Sequence, residues 1–506
     1  MTDEGELRLA SGRGRMVLAA AVAGSAVAMV TSTVVNVALP ELATALDAST
    51  AGIQWVVNAY ALTLAALVLL GGALGDRLGR RRVFILGTGV FGVASLAAAL
   101  ASGLGWLLAA RAVMGVGAAL LTPGSLAILE ASFVEEDRGA AIGAWSGLGG
   151  IAAAVGPLLG GLLLDAAGWR PLFLLNIPIA LAAVVLARTA VPESRDSGTD
   201  GTDLDLVGTV TAVGGLGLLT YGLIRLGSGA DVLALGGIVV GIGVLVGFVA
   251  VERRNPAPLL PPSLFADRTF TVANLLTFVA YAAIGGVFLL LIVALRLLLG
   301  FSGVEAGAAT LPVTALMLLL SARSGRLATQ WGPRRQLVVG PLLLAVAAVL
   351  LARVGEGDTY LLDVLPGLTL FGLGLAAMVA PVTATVLAAA PPSRAGVASG
   401  TNNAVARTAQ LLSVAVLPVA AGLGPTAFED PAAFAAGYPT AMHLAAALAL
   451  AGAVTAAVGL PAGPIAPRRD GGAQVAVTDG TGAAGIAVPH HHPHADVACP
   501  APRSTG

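Results

Sequence analysis

The chain has 506 residues, 57% of them hydrophobic and only 11% charged, with a formal net charge of −1. Soluble domains carry roughly 25% charged residues, so a water-soluble globule is excluded; the near-neutral balance says nothing about partners, and no nucleic-acid partner is expected. All 27 basic side chains are arginine, so a nucleotide-binding Gly-x4-Gly-Lys-Ser/Thr loop cannot exist, and the single cysteine, Cys499, rules out a disulfide framework.

A membrane-spanning helix needs about 20 mainly apolar residues. Fourteen stretches meet that length: 16–38, 52–74, 83–102, 105–129, 139–164, 169–188, 206–226, 230–250, 270–295, 304–322, 336–353, 360–381, 395–421 and 440–460. None alternates in the short polar/apolar period of a membrane β-barrel, so an all-α membrane protein is predicted. The first stretch runs on to Ala38, too long for the apolar core of a cleaved signal peptide, and reads as a retained helix.

Polar stretches divide the chain. Residues 1–15 form an N-terminal segment and 16–188 a bundle of six helices. A polar linker, 189–205, leads into two inserted helices at 206–250. A second linker, 251–269, precedes a further six helices at 270–460, and 461–506 reads as a disordered tail. With the N-terminus in the cytoplasm, 21 arginines fall in cytoplasmic segments. Four lie at outer ends (Arg170, Arg225, Arg296, Arg353) and two within spans (Arg111, Arg407). The positive-inside rule therefore places both termini in the cytoplasm.

In chain order, helix one carries Thr31-Ser-Thr33-Val-Val-Asn36-Val-Ala-Leu-Pro40, in which Thr33 and Asn36 share a face. After helix two comes Gly72-Ala-Leu-Gly-Asp76-Arg77-Leu-Gly79-Arg80-Arg81-Arg82. A generic positive loop would explain its arginines, but not the Gly-x-Leu-x-Asp-Arg-x-Gly-Arg-Arg pattern. Its glycines permit close helix approach, and Asp76 stands at a helix end where it can pair with arginine. Arg111 opens helix four within Arg111-x3-Gly115-x-Gly117. A charge inside a span costs roughly 2.5–3.5 kcal/mol on insertion scales and is usually functional, although a position near the helix start also permits snorkelling. Helix five holds Gly156-Pro157-x2-Gly160-Gly161, which reads as a kink flanked by surfaces for tight packing. The loop pattern recurs 253 residues on as Gly325-Arg326-Leu-x4-Gly332-x-Arg334-Arg335, and Arg138-Gly-Ala-Ala-Ile-Gly143 is echoed by Arg394-Ala-Gly-Val-Ala-Ser-Gly400. The two sixes are therefore parallel repeats, with a central site expected between them. Helix thirteen adds Thr401-Asn402-Asn403-x3-Arg407, either a polar lining opposite Asn36 or structural pairing inside the bundle. Glu130 and the lone membrane imidazole His443 read more simply as solvated and packed groups, and His490-His-His-Pro-His494 as part of a solvated tail.

These motifs resemble those of the major facilitator superfamily across residues 16–460. The first-helix motif and Trp169-Arg170-Pro-Leu-Phe-Leu-Leu-Asn176-Ile-Pro178 resemble its fourteen-helix drug:proton antiporter branch. The resemblance implies two six-helix bundles plus two inserted helices, and proton-coupled export of small amphipathic compounds across a bacterial cytoplasmic membrane. Gly72, Asp76, Arg77, Gly79, Arg80 and Arg81 would form a cytoplasmic latch and Arg111 the proton-coupling group. Gly156, Pro157, Gly160 and Gly161 would form the antiporter kink. Thr33, Asn36, Asn402, Asn403 and Arg407 would line the substrate cavity. It implies no cofactor beyond the proton gradient, no bound metal and no enzyme activity, with a small-molecule substrate and the lipid bilayer as partners and a monomeric state. Two departures stand out. Thr31 occupies a position that is usually Asp in the branch, where a carboxylate would favour cationic substrates, and Ala152 replaces a motif glycine four residues before Gly156.

Overall fold

A computed structural model describes residues 7–195, 205–255, 258–391, 394–424 and 426–463. The tail with its histidine tract, and most of the first linker, lie outside these described residues. With little water to satisfy the backbone, the chain satisfies it within helices. The first half comprises α1 (Gly12–Val37), α2 (Leu39–Ala45), α3 (Thr50–Leu78), α4 (Arg80–Ala99), α5 (Leu104–Ser132), α6 (Glu135–Ala167), α7 (Arg170–Leu174) and α8 (Asn176–Ala190). Then come the hairpin helices α9 (Leu206–Leu226) and α10 (Val232–Arg254). The second half comprises α11 (Arg268–Leu297), α12 (Gly303–Ala309), α13 (Leu311–Trp331), α14 (Arg334–Leu351), α15 (Leu365–Ala389), α16 (Ala395–Ala420) and α17 (Pro431–Gly459). Thirteen helical stretches among the described residues are long and apolar enough to cross a membrane. The remaining predicted span, 139–164, falls in α6, a helix of 33 residues whose described apolar part is Val155–Ala167.

The repeat seen in the sequence is a repeat of structure. Gly79, between α3 and α4, and Gly332, between α13 and α14, both take positive φ, at 109° and 84°. An L side chain is strained there, so glycine breaks each helix at the same place in its half. Each break packs on the segment that ends its own bundle. Gly79 lies against Glu193 beyond α8, and Gly332 against residues 462 and 463 beyond α17. Helix pairing repeats as well: α3 and α4 pack on α5 as α13 and α14 pack on α15, and α1 packs on α8 as α11 packs on α17.

Small residues set the close contacts. Gly215, Gly222, Gly237 and Gly241 bring α9 and α10 backbone to backbone. This hairpin rests through α9 on α3 and α16, one helix from each half. At the other extreme of burial, α11 runs through the centre of the bundle, lined by Leu289–Leu295. The N-terminal segment is pinned to the α5–α6 turn, where Leu7 pairs with the backbone on either side of Phe133 and Leu9 N–H donates to Asp137 at 2.8 Å.

This backbone reading predicts opposite outcomes for two neighbouring glycines. Gly79→Ala introduces a strained φ and a clash with Glu193, and should cost about 1–3 kcal/mol. Gly89→Ala lies in the α4 interior with open space beside it, and should gain up to about 1 kcal/mol. Thermal unfolding in detergent reads both; equal midpoints would refute the assignment.

Candidate functional site

The loop after α3 is fastened to its own half. Asp76 pairs with Arg80 at 2.9 Å, one turn on. The Arg80 N–H donates to the Ser194 carbonyl at 3.0 Å, and its guanidinium reaches the Ala127 carbonyl at 3.4 Å. Glu193 accepts from the Arg81 N–H at 3.1 Å and lies within 3.6 Å of the Arg81 and 3.5 Å of the Arg82 guanidinium groups. Gly72 packs on Pro123 of α5. Among the described residues, neither Asp76 nor Arg77 pairs with the second half. Glu193 is the partner that reading the motif alone missed, since nothing in a polar linker marks one carboxylate among several.

In the second half, Arg334 donates to the Ala457 carbonyl of α17, Arg335 is exposed, Gly325 sits beside Ala380, and Arg326 is engaged in a contact of its own. The sequence repeat therefore corresponds to one arginine-rich end shared by both halves.

Arg111 is 1% exposed, so the snorkelling alternative fails. Its Nε donates to the Val56 carbonyl at 2.9 Å, and its guanidinium carbon lies 4.6 Å from the centre of the Tyr60 ring. Among the described residues no carboxylate meets it, and Nη1 is buried without an acceptor. An unsatisfied buried donor costs about 1–3 kcal/mol, and a desolvated cation–π contact returns up to about 2 kcal/mol. Tight glycine packing holds the arrangement: Gly115 presses on Thr63 and the Tyr60 carbonyl, and Gly117 on Gly87 and Phe91. Tyr60 is itself 3% exposed, donates to the Ala28 carbonyl at 3.2 Å and meets Phe91 edge-on. Beside this group on α3, Asn58 is fully buried with neither amide atom bonded. Neither residue carries a sequence signal, because a Tyr and an Asn in an apolar helix look like core.

The kink in α6 is a seam. Gly156 leaves room for the Thr33 hydroxyl and Gly160 for Val34, both on α1. On the other side, Gly161 meets the backbone of Gly303, and Gly307 meets the Pro157 carbonyl, so α6 touches α12 of the second half without intervening side chains. At the same end Asp165 accepts from the Gly303 and Val304 N–H groups, both at 2.9 Å, with the Arg296 guanidinium 3.9 Å away. Glu41 joins this cluster, and burial pushes its carboxyl up while Arg296 pulls it down. Thr50 donates to the Gly424 carbonyl at 2.8 Å. These bonds join the halves at the end away from the arginine-rich loops.

The expected cavity residues divide. Asn36, Asn403 and Arg407 are half-buried. Asn402 is turned into the second half instead, donating to Asn274 at 3.1 Å and Thr277 at 2.9 Å, because a buried amide is held by whatever acceptors the neighbouring helix offers. Thr33 is occupied by the Gly156 seam and by the Val30 carbonyl at 3.0 Å. Thr31 is 2% exposed and donates to Asn176 at 2.9 Å, which in turn donates to Ser95 at 3.3 Å. A carboxylate at position 31 would face that packed network.

The seam makes a direct prediction. Gly161→Leu should wedge α6 from α12 and stop that end from closing. Spin labels at Ala166 and Leu362, one on each half at that end, should show a longer and broader distance distribution than in the parent. An unchanged distribution would refute the seam.

Comparison with known proteins accords with this arrangement. Residues 21–414 match the model of the Major Facilitator Superfamily. The chain is 39% identical over 393 residues to the puromycin resistance protein pur8 of Streptomyces alboniger, covering 76% of this chain and 77% of that protein. It is 34% identical over 415 residues to the tetracenomycin C resistance and export protein of Streptomyces glaucescens, covering 81% and 76%. With the methylenomycin A resistance protein of Bacillus subtilis it shares 32% over 420 residues, covering 82% and 89%. In fold it resembles the crystal structure of an auto-inhibited POT family peptide transporter, with a TM-score of 0.64 at 16% identity over 87% of this chain and 96% of that one. The repeated loop motif, the glycine seam between two six-helix halves and these matches together place the chain in the major facilitator superfamily, as a multi-pass membrane protein.

Proposed function

We propose that this protein exports small amphipathic compounds, antibiotics and other drugs among them, across a bacterial cytoplasmic membrane in exchange for protons. The observation that carries the reading is the seam of α6 on α12, with its Asp165 clasp, at one end only of a two-half transporter. Its relatives, a puromycin resistance protein and a tetracenomycin C resistance and export protein, point the same way.

With the arginine-rich loops in the cytoplasm, as the positive-inside rule requires, the sealed end is the outer one. Both termini then lie in the cytoplasm, and substrate loads from inside between Asn36 of α1 and Asn403 and Arg407 of α16. Rocking of the halves opens the α6–α12 seam and brings the Asp76–Arg77 loop against the second half, where it latches. The proton gradient supplies the energy: one charge crossing 100 mV is worth about 2.3 kcal/mol. Arg111 cannot itself release a proton. Its role is electrostatic: its acceptor-free Nη1, beside the Tyr60 ring, is set to bind a substrate oxygen or the carrier of the proton. The protein works as a monomer without a cofactor.

A narrower reading, a dedicated exporter of one endogenous metabolite, is favoured by relatives such as the probable actinorhodin transporter of Streptomyces coelicolor, 33% identical over 397 residues. The breadth of substrates separates the two.

Purified protein in liposomes, given an imposed pH gradient and a panel of dyes and antibiotics, should move several of them against their gradients. Loss of the pH gradient should abolish that movement; transport that ignores it would overturn the exchange mechanism. Asp76→Asn should insert normally yet slow export strongly, since it removes the latch charge; equal rates at equal protein content would reject the latch. Arg111→Ala should abolish gradient-driven export while substrate still binds. Normal pumping by Arg111→Ala would move the coupling to Glu130, His443 or Arg407.

A further inference from the structure

Away from the transport pathway, the inserted hairpin holds two acids at its arginine-rich end. Asp205 caps α9 and is 6% exposed; Glu252, in the last turn of α10, is 2% exposed. One oxygen of each is accounted for. Asp205 Oδ1 accepts from the Gly208 N–H at 2.7 Å, and one Glu252 oxygen accepts from the Leu260 N–H at 2.8 Å. The other oxygens, Asp205 Oδ2 and Glu252 Oε1, are buried and receive no donor from any other residue. Both crowd the same spot, since a side chain at Gly208 would collide with each of them. Each lies within 2.5 Å of the point where a Gly208 Cβ would stand, so the two unpartnered carboxyl oxygens face one another.

A carboxylate only accepts; a bond between two carboxyl groups requires a proton on one of them. The other charged groups of the surrounding elements are used elsewhere or face water. Arg253 and Arg254 on α10 are exposed. In the second linker and α11, Asp267 caps Phe270 and Arg268 donates to the Val458 carbonyl. On α16 and its cap, Arg394 bonds Ser263 and Arg407 lies near Tyr60 and Tyr281. On α3, Asp76 pairs with Arg80, and the half-buried Arg77 pairs with neither acid. Among the described residues no cation offsets the pair.

We propose that Asp205 and Glu252 form a proton-binding site that holds a single proton between Asp205 Oδ2 and Glu252 Oε1 and so locks the two linkers together. The first linker ends at Asp205. The second is tied back to Glu252 through Leu260 and enters α11 a few residues later. With the proton in place, the start of α9, the end of α10 and the entry to the second half are one unit. Without it, two like charges face each other in a space that water does not reach, and the last turn of α10 releases the linker. Cytoplasmic alkalinity thereby loosens the connection between the halves.

The full chain in detergent tests this by infrared difference spectroscopy across a titration from mildly acidic to alkaline pH. The parent should show the carbonyl band of a buried protonated carboxyl that is lost as pH rises, and the band should be missing in both Glu252→Gln and Asp205→Asn. Trypsin cleavage after Arg253 and Arg254 should rise several-fold over the same range in the parent, relative to Glu252→Gln, whose amide can donate the same bond without a titrating proton. A parent without the band at any pH, a band that persists in both variants, or a transition set by sodium concentration instead of pH would each overturn the proposal. The parent spectrum alone decides the case if a variant fails to fold. No readout involves transport, so failure here leaves the export reading intact, and failure of export leaves this site standing.

Discussion

A guanidinium enclosed by apolar helices with no carboxylate to meet it is the constraint around which the first half is organised. Arg111 is held by one carbonyl and one aromatic face. That is too little for a structural ion pair, whose partner would satisfy every donor. The cost is tolerated because the surrounding helices leave the group nowhere to go. Gly115 and Gly117 bring α5 against α3 and α4 so closely that Arg111 cannot swing toward the membrane surface.

The second recurring device is the absence of side chains. Where two helices must slide or part, the contact is made by backbone: Gly161 on Gly303, Pro157 on Gly307, and Gly215 and Gly222 on α10. In a membrane the solvent is as apolar as a leucine side chain, so helix association rests on close packing and on a few bonds. Backbone seams can be tight when closed and lose little specific side-chain interlock when opened. The polar clasp at the α6–α12 seam is equally economical, with one carboxylate accepting from two backbone N–H groups across the halves.

The arginine-rich end follows another logic. Its glycines at 79 and 332 break the helices, and the segments that close each bundle wrap around those breaks. Glu193 gathers Arg81 and Arg82, so the loop is held to its own half while Asp76 and Arg77 remain without a partner in the other. Among the described residues, Thr50, Gly303 and Val304 bond across the halves at one end, while the loop of residues 76–82 at the other is fastened to its own half.

Much of this was legible before any coordinates. Apolar runs of spanning length dictated helices, since a backbone without water has few other ways to satisfy itself. The echo of residues 72–82 at 325–335 announced two related halves. Glycine and proline at 156–161 marked a special packing surface because both act on the backbone locally. Tertiary structure alone decided which polar groups meet. Asn402 and Asn403 are adjacent in sequence, yet one is bonded to α11 and the other is half-buried on another face. Thr31, marked by its departure from the branch, is a packed hydroxyl; Tyr60 and Asn58 looked like core, yet one faces the Arg111 guanidinium and the other has neither amide atom bonded. Glu193, Asp205 and Glu252 find their partners across 112, 3 and 8 residues of chain. The period of a helix says which residues share a face, but not which helix that face will touch. That choice depends on packing between segments distant in sequence, and only the folded bundle makes it.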